Sequence, residues 1–254
     1  MKKPLWPVVI FLSLAIKNKM IAIFAYHSVS NTNYTYAVSS ASFEWQLTYI
    51  QKNFRIISML ELEKLLKTKQ ILKQNLALIT FDDGLRDNYE NAYPILKKMR
   101  IPATIFLITG LIGNTFETRV GSFNMLSWKE IERMYSSGLV AFANHTNTHL
   151  LLTDADEKQI DYEFSTSNHI IEKNLGIKPN VTAYPKGKYN QSVQIVAKKH
   201  FSIAFGGEGV ITNIQDINLF AVPRIIISNL IPLWKFKLFK FPLYWKLKSV
   251  FGAK

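Results

Sequence analysis

Apolar residues alternate between two patterns along this chain. Short unbroken runs bounded by polar turns predict buried strands. Runs with helical spacing predict the segments between them. Four of the short runs end in loops rich in ionisable and turn-forming residues. Residues 20–25 lead into Tyr26-His27-Ser28, and residues 76–81 into Asp82-Asp83-Gly84. Residues 139–143 lead into Asn144-His145-Thr146-Asn147-Thr148-His149, and residues 181–184 into Pro185-Lys186-Gly187. Residues 103–108, 202–205 and 221–227 are further strand candidates.

Helical spacing covers 42–52, 58–67, 88–99, 127–136, 156–175 and 192–200. Pro94 predicts a kink or a late start in the third of these. Ser127 followed by Glu130 is a capping box, and Gly138 suits a C-cap. Strand-helix alternation implies an α/β fold with a parallel sheet. About seven such units in roughly 200 residues suit a distorted or incomplete β/α barrel better than an open sheet. No Gly-x-Gly-x-x-Gly follows the first strand, so dinucleotide binding has no support. In a β/α barrel the loops at the carboxyl ends of the strands share one face. The four loaded loops would meet there.

Composition narrows the partners. With 254 residues and 48% hydrophobic content, the chain is long and apolar enough for one large α/β core. The absence of cysteine excludes disulfide frameworks, thiolate zinc sites and cysteine nucleophiles. The net charge is +13, with lysines at Lys2, Lys3, Lys17 and Lys19 and again across 235–254. That distribution favours an anionic membrane surface over a nucleic-acid groove, and no nucleic-acid-binding motif is present.

Residues 1–19 form an apolar and basic segment, read as a membrane anchor or an uncleaved signal. Its apolar stretch, 5–16, is short for a spanning helix. Residues 20–228 form the main domain. In the tail, 229–254, lysines interleave with Trp234, Phe236, Phe239, Phe241, Tyr244 and Trp245, and Pro242 breaks any single helix. Cations among aromatics suit an anionic membrane interface, and aromatics packed on the barrel are the alternative.

The chemistry begins with Asp82 and Asp83. Adjacent carboxylates at a strand end repel unless a cation or a proton relieves them. Side chains alternate along a strand, so one carboxylate can bind metal while the other accepts a proton. A solvated turn is the plainer reading. His145 and His149, four apart, bring two imidazoles together, and two histidines with one carboxylate form a catalytic zinc set with open positions. Surface or capping histidines are the alternative here. His200 follows Lys198 and Lys199 and reads as a charged helix end. His169 reads as helix surface, and Trp45 and Trp128 as core or groove wall.

With these residues in view, the chain resembles the polysaccharide deacetylase family with the NodB homology domain, similar to carbohydrate esterase family 4. The resemblance spans about residues 20–228 and rests first on Thr80-Phe81-Asp82-Asp83-Gly84 and His145-Thr146-Asn147-Thr148-His149. Ala183-Tyr184-Pro185-Lys186-Gly187 is a weaker third motif. Tyr26-His27-Ser28-Val29 and Ala221-Val222-Pro223-Arg224-Ile225 look like the subgroup with an early Tyr-His motif.

The resemblance implies a NodB-like barrel and hydrolysis of N-acetyl groups from an amino sugar in a polysaccharide or lipid-linked glycan. It implies that Asp83, His145 and His149 hold one divalent ion, zinc first, and that Asp82 is the general base for the attacking water. The turn of Tyr184, Pro185 and Lys186 would serve the oxyanion and substrate, through the Lys186 backbone N–H. His27 would protonate the leaving amine, since the late Leu-x-His motif of many members is missing. Lys186 stands where the third motif usually carries an aromatic, which could recast the groove or favour an anionic glycan. The arginine expected in that loop is missing too, and Arg224 is the candidate partner for Asp82. The rival readings are a catalytically silent glycan-binding module and a metal-dependent amidase on a non-sugar amide. The expected location is a bacterial-type membrane or cell envelope, with the cytoplasmic membrane face left open. The sugar, its linkage and the oligomeric state stay open.

Overall fold

A computed structural model describes residues 19–251 of the chain. Seven parallel strands close on themselves: β1 (Ile21–Tyr26), β2 (Leu76–Phe81), β3 (Ala103–Leu107), β4 (Val140–Asn144), β5 (Val181–Ala183), β6 (Ile203–Glu208) and β7 (Val222–Ile226). Each pairs with the strand before and after it, and β7 returns to β1. The β1–β2 pair is regular over six positions, from Ile21↔Leu76 to Tyr26↔Phe81. The opposite wall is distorted. There β4 and β5 share the single register pair Thr182↔Asn144, and β6 bulges against β7 between Phe205 and Glu208. Barrel strands are covered on both faces, so β1, β2 and β3 are wholly buried and read as unbroken apolar runs.

Alternate residues of β1 serve two cores. Ile21 and Ile23 meet Leu78, Phe106, Phe205 and Val222 from other strands, which places them inside the barrel. Ala22 and Phe24 pack outward with Phe43 and Leu47 of α1 (Ser40–Asn53). Leu62, Leu65 and Leu66 of α2 (Met59–Thr68) join the interior cluster.

Helix ends follow local chemistry. Ser39 caps α1 by accepting from the Ser42 N–H, so that helix starts two residues ahead of the expected 42. Pro94 gives the late start: Asn88–Ala92 forms a π-helical turn, and α3 (Tyr93–Met99) follows with Pro94 in its first turn. Ser127 and Glu130 form the capping box of α4 (Trp128–Ser136). Asp156 and Gln159 do the same for α5 (Glu157–Leu175), which ends at Gly176 with φ 69°. Asn190 caps α6 (Gln191–His200).

Two small additions matter for the site. Ser28–Val29 pairs with Ala37–Val38 above β1, and Thr115–Thr118 with Gly121–Asn124 makes a hairpin after β3. Neither was expected. The first is too short to show periodicity, and the second is mostly exposed.

The tail forms α7 (Leu233–Leu238) and α8 (Pro242–Phe251), with Pro242 opening the second helix rather than interrupting one. Phe236, Phe239 and Trp245 are buried in the outer core, and Phe236 stacks on Phe24 at 5.9 Å. Leu230, Trp234, Phe241 and Leu247 stay exposed. Among the described residues no helix is long and apolar enough to cross a membrane. The membrane-anchor expectation for 1–19 falls almost wholly outside the described residues.

Candidate active site

Two loops at the carboxyl end of the barrel converge on one point. Asp83 follows β2, and His145 and His149 follow β4. His145 Nε2 lies 3.4 Å and His149 Nε2 3.5 Å from Asp83 Oδ1. One ligand-type atom from each residue falls within 4.8 Å of the others. Backbone conformation sets this convergence. Asp83 has φ 71° and His149 φ 62°, left-handed values that are strained for residues with a Cβ. Gly84 continues the turn at φ 79°, and a Cβ there would meet Leu107 Cδ2 at 2.8 Å. Glycine adopts this conformation without the strain and crowding that a side chain would bring.

The donor chemistry fits a cation. His145 Nδ1 is 2.8 Å from the Ala183 carbonyl, which can only accept, so Nδ1 carries the proton. The neutral ring then turns the lone pair of Nε2 toward Asp83. Asp83 Oδ1 is buried and has no hydrogen-bond partner among the described residues. Lone pairs facing each other across 3.4 Å repel, and a divalent ion between them removes the conflict. The surrounding charges favour a positive charge, proton or metal ion, between these groups. Burial opposes ionisation of Asp83, yet His145, His27 and His149 hold its pKa below the usual value. Burial opposes protonation of His145, while Asp82 and Asp83 draw its pKa upward. Burial and the neighbouring His145 push His149 down to about 4.

Asp82 faces a different partner. Arg224, on β7, donates from both terminal nitrogens to the two carboxylate oxygens at 2.7 and 2.6 Å. The Arg224 side chain is 2% exposed and the Asp82 side chain 5%. The guanidinium lies 5.4 Å from the ring centre of Phe106 and 5.8 Å from that of Phe205. Burial disfavours the Asp82 carboxylate, but Arg224 more than offsets it and keeps the group well below the usual carboxylate range.

His27 sits at the end of β1, half-buried, with its ring stacked on Tyr36 at 4.9 Å. Its Nδ1 is buried and unpartnered among the described residues. The π turn holds this segment: Asn88 Nδ2 donates to the His27 carbonyl at 2.8 Å, and Asn91 Nδ2 to the Val29 carbonyl at 2.7 Å. Asp87 accepts from Ser28 Oγ and the Val29 N–H.

The third motif contributes backbone more than side chains. Tyr184 is buried in a separate apolar cluster, with its hydroxyl donating to the Phe220 carbonyl at 3.1 Å. Pro185 is buried, and Lys186, at φ 57°, is exposed. His200 pairs with Asp161 at 2.7 Å at the end of α6, and His169 lies exposed on α5. Trp45 and Trp128 pack against the outer core.

Several supporting residues escaped the sequence reading. Glu163 of α5 accepts from the Asn147 and Thr148 N–H groups, both at 2.8 Å, and from Thr148 Oγ1 at 2.7 Å. Asn144 accepts from the Thr146 N–H at 2.8 Å and donates to Asn168. Thr146 Oγ1 accepts from the His149 N–H at 3.0 Å. The histidine loop is thus fixed from beneath by a buried acid. The one signal available for it was an acidic residue interrupting the apolar side of α5 between Ile160 and Phe164. Tyr34 and the rings of Phe116 and Phe123 form part of the rim: Tyr34 meets Phe123 at 4.7 Å, and Phe116 meets His149 at 5.6 Å. Burial and the acidic Asp83 raise the Tyr34 pKa.

A closed parallel barrel with this constellation at its mouth defines a class of hydrolase, and comparison with known proteins agrees. Residues 69–202 match the family described as polysaccharide deacetylase. A poly-β-1,6-N-acetyl-D-glucosamine N-deacetylase of Staphylococcus aureus (strain MSSA476) is 33% identical over 205 residues, covering 76% of this chain and 69% of the relative. Among solved structures, IcaB from Ammonifex degensii superposes with a TM-score of 0.78 at 26% identity, over 87% of this chain and 97% of that one. The Streptococcus pyogenes deacetylase PplD, solved with acetate, gives 0.74 at 27% identity, over 86% and 97%. The chain belongs to the polysaccharide deacetylase family and is an enzyme of the carbohydrate deacetylase class.

Proposed function

We propose that this chain hydrolyses the N-acetyl group of an amino sugar within a glycan, with Asp83, His145 and His149 holding one divalent ion, zinc first. The observation that carries the reading is the largely buried Asp83–His145–His149 donor set beside a second carboxylate, Asp82, kept ionised by Arg224. The ion, when bound, supplies Lewis acidity toward water and the acetamide carbonyl. Asp82 accepts the proton of the attacking water. The Lys186 backbone N–H donates to the oxygen that gains charge at the acetamide carbon. His27, braced by Tyr36 and the π turn, gives a proton to the departing amine. Arg224 orients the base and does not touch the substrate.

The name of the staphylococcal relative makes β-1,6-linked N-acetylglucosamine oligomers the first substrate to test. The exposed apolar residues of the tail, set among lysines, support contact with an anionic membrane surface in a bacterial envelope. The experiment is acetate release from such oligomers before chelation, after it, and after zinc is returned. Release lost and regained in step with the metal supports the reading. Asp82→Asn is expected to keep the metal and lose at least about a hundredfold in kcat, the range for a general base. A purified protein that holds metal and releases acetate from non-sugar amides alone overturns it in favour of an amidase. A protein that binds the oligomers and releases no acetate overturns it in favour of a silent binding module.

A further inference from the structure

A cavity of about 480 Å³ opens beside the site between the turn after β5, the ends of β6 and β7, the loop after β7 and the two tail helices. It shares two residues with the site's surroundings, Lys186 and the Tyr36 ring that stacks on His27. Its volume lies within the range of sites that hold small ligands.

The charge around it is one-sided. Four lysines line it, Lys186, Lys188, Lys235 and Lys248, against the single acid Glu208. Glu208 is already taken by Lys248 at 2.8 Å. Lys186, Lys188 and Lys235 have no carboxylate partner among the described residues. They come from two segments distant in sequence, Lys186 and Lys188 from the turn after β5 and Lys235 from α7, so the fold and not a single charge run brings Lys235 to the other two. Lys186 is held at φ 57°, an unfavourable backbone state for a residue with a Cβ. Like charges gathered around a concavity repel each other and raise the local concentration of anions.

The lining favours one class of anion. It contains no arginine, so its positive charge comes from ammonium groups, which act as compact point charges. Separate ammonium groups on flexible stems suit an anion with several oxygens spread in three dimensions, which is a phosphate. Tyr36 and Tyr244 also line the cavity, and aromatic side chains pack against the apolar side of a sugar ring. We propose that this cavity receives a phosphate group carried by the glycan, on a sugar beside the one that loses its acetyl group. The inference rests on the deacetylase reading and names a substrate class for it, a phosphorylated or phosphodiester-linked N-acetylated glycan. Lys186 joins the two places: its backbone N–H is the proposed oxyanion donor, and the residue lines the cavity.

The test compares two β-linked N-acetylglucosamine trisaccharides of equal length, one neutral and one bearing a 6-phosphate on a terminal sugar. Acetate release is measured on the full chain at low and high salt. The phosphorylated compound is expected to show a kcat/KM about tenfold higher at low salt, chiefly through KM, with the preference shrinking at 0.5 M salt; two exposed charge pairs give roughly that factor. Lys188→Gln with Lys235→Gln, both surface changes, is expected to bring the ratio of the two kcat/KM values close to one. Calorimetric binding of the phosphorylated trisaccharide is the second readout, and it does not depend on turnover. Equal kcat/KM for the two compounds, together with equal binding to the wild-type and doubly substituted proteins, overturns the cavity's role and leaves the deacetylase reading intact. Lysine-dependent binding without acetate release from either compound overturns the deacetylase reading and leaves the phosphate site standing. An inorganic phosphate titration separates the sources: displacement of the trisaccharide by millimolar phosphate supports recognition of the phosphate group itself. No displacement, with the sugar ring alone competing, overturns it.

Discussion

Asp82 and Arg224 stand 142 residues apart in sequence and share the most buried charge pair among the described residues. An ion pair at this depth is costly to assemble and more costly to break, because the survivor stays buried and alone. Arg224→Met is therefore expected to lower stability by roughly 3–5 kcal/mol and to remove most turnover. Arg224→Lys should recover part of the melting temperature but little of the turnover, since one ammonium cannot replace two parallel donors. Thermal melting and acetate release on both variants check this. A methionine variant with wild-type melting and turnover would sink the positioning role. The sequence exposed these residues to different degrees. Asp82, Asp83, His145 and His149 were legible because chemically costly residue types cluster after apolar runs. Their convergence was legible at the scale of loops, which a β/α barrel gathers at one end, but the left-handed backbone at Asp83 and His149 that brings the atoms together was not. Tyr184 shows the reverse case. It belongs to a recognisable motif, yet its ring serves the core and its hydroxyl serves Phe220.

Between elements, hydrogen bonds from helix to loop decide how well the site is held. Glu163 reaches up from α5 to three donors of the histidine loop. Glu163→Gln keeps the size and loses the charge, and the loop should loosen around His149. Zinc affinity is expected to fall about 10–100-fold, the usual cost of disturbing such support, with a modest drop in melting temperature. Competition against a chelator reads it, and an unchanged dissociation constant would remove Glu163 from the account. Glu163, Asn144 and Asn168 were hidden in the sequence for one reason. A buried polar side chain looks like any surface residue until its tertiary partner is known. Capping, by contrast, is local and was readable. Ser127→Ala is expected to cost about 1 kcal/mol in urea unfolding at pH 7. Burial opposes the Glu130 carboxylate, but the Ser127 N–H, its hydroxyl and Arg86 hold its pKa below the ordinary value. Its contribution is thus complete above the unfolded pKa of about 4.3 and fades as pH falls through the depressed folded value. The cost of Ser127→Ala should shrink between pH 7 and about pH 3.5. A cost that stays constant or grows would deny the link between cap and carboxylate.

Across the whole molecule, alternation of strand and helix was enough to predict a β/α barrel, because each unit repeats the same pattern of burial. The number of strands and the place of distortion follow from packing that no single segment reveals, as at the lone register pair between β4 and β5. The tail answers two questions at once. Phe236, Phe239 and Trp245 are drawn into the outer core, while Trp234, Leu230, Phe241 and Leu247 remain outside among lysines. The buried set orients α7 and α8, and so fixes which apolar residues are left to face outward. Each lysine near an anionic bilayer contributes about 1 kcal/mol, and that attraction fades within a Debye length of roughly 8–10 Å. The full chain should therefore sediment with vesicles containing phosphatidylglycerol and much less with pure phosphatidylcholine, and 0.5 M salt should release most of it. Trp234→Ser with Leu230→Ser should weaken that binding severalfold while the melting temperature holds, since both side chains lie outside the core. Binding to neutral vesicles of equal strength would show that charge plays no part. Loss of melting temperature in the double variant would show that these side chains are packed after all, and the outward face would no longer have a membrane to explain.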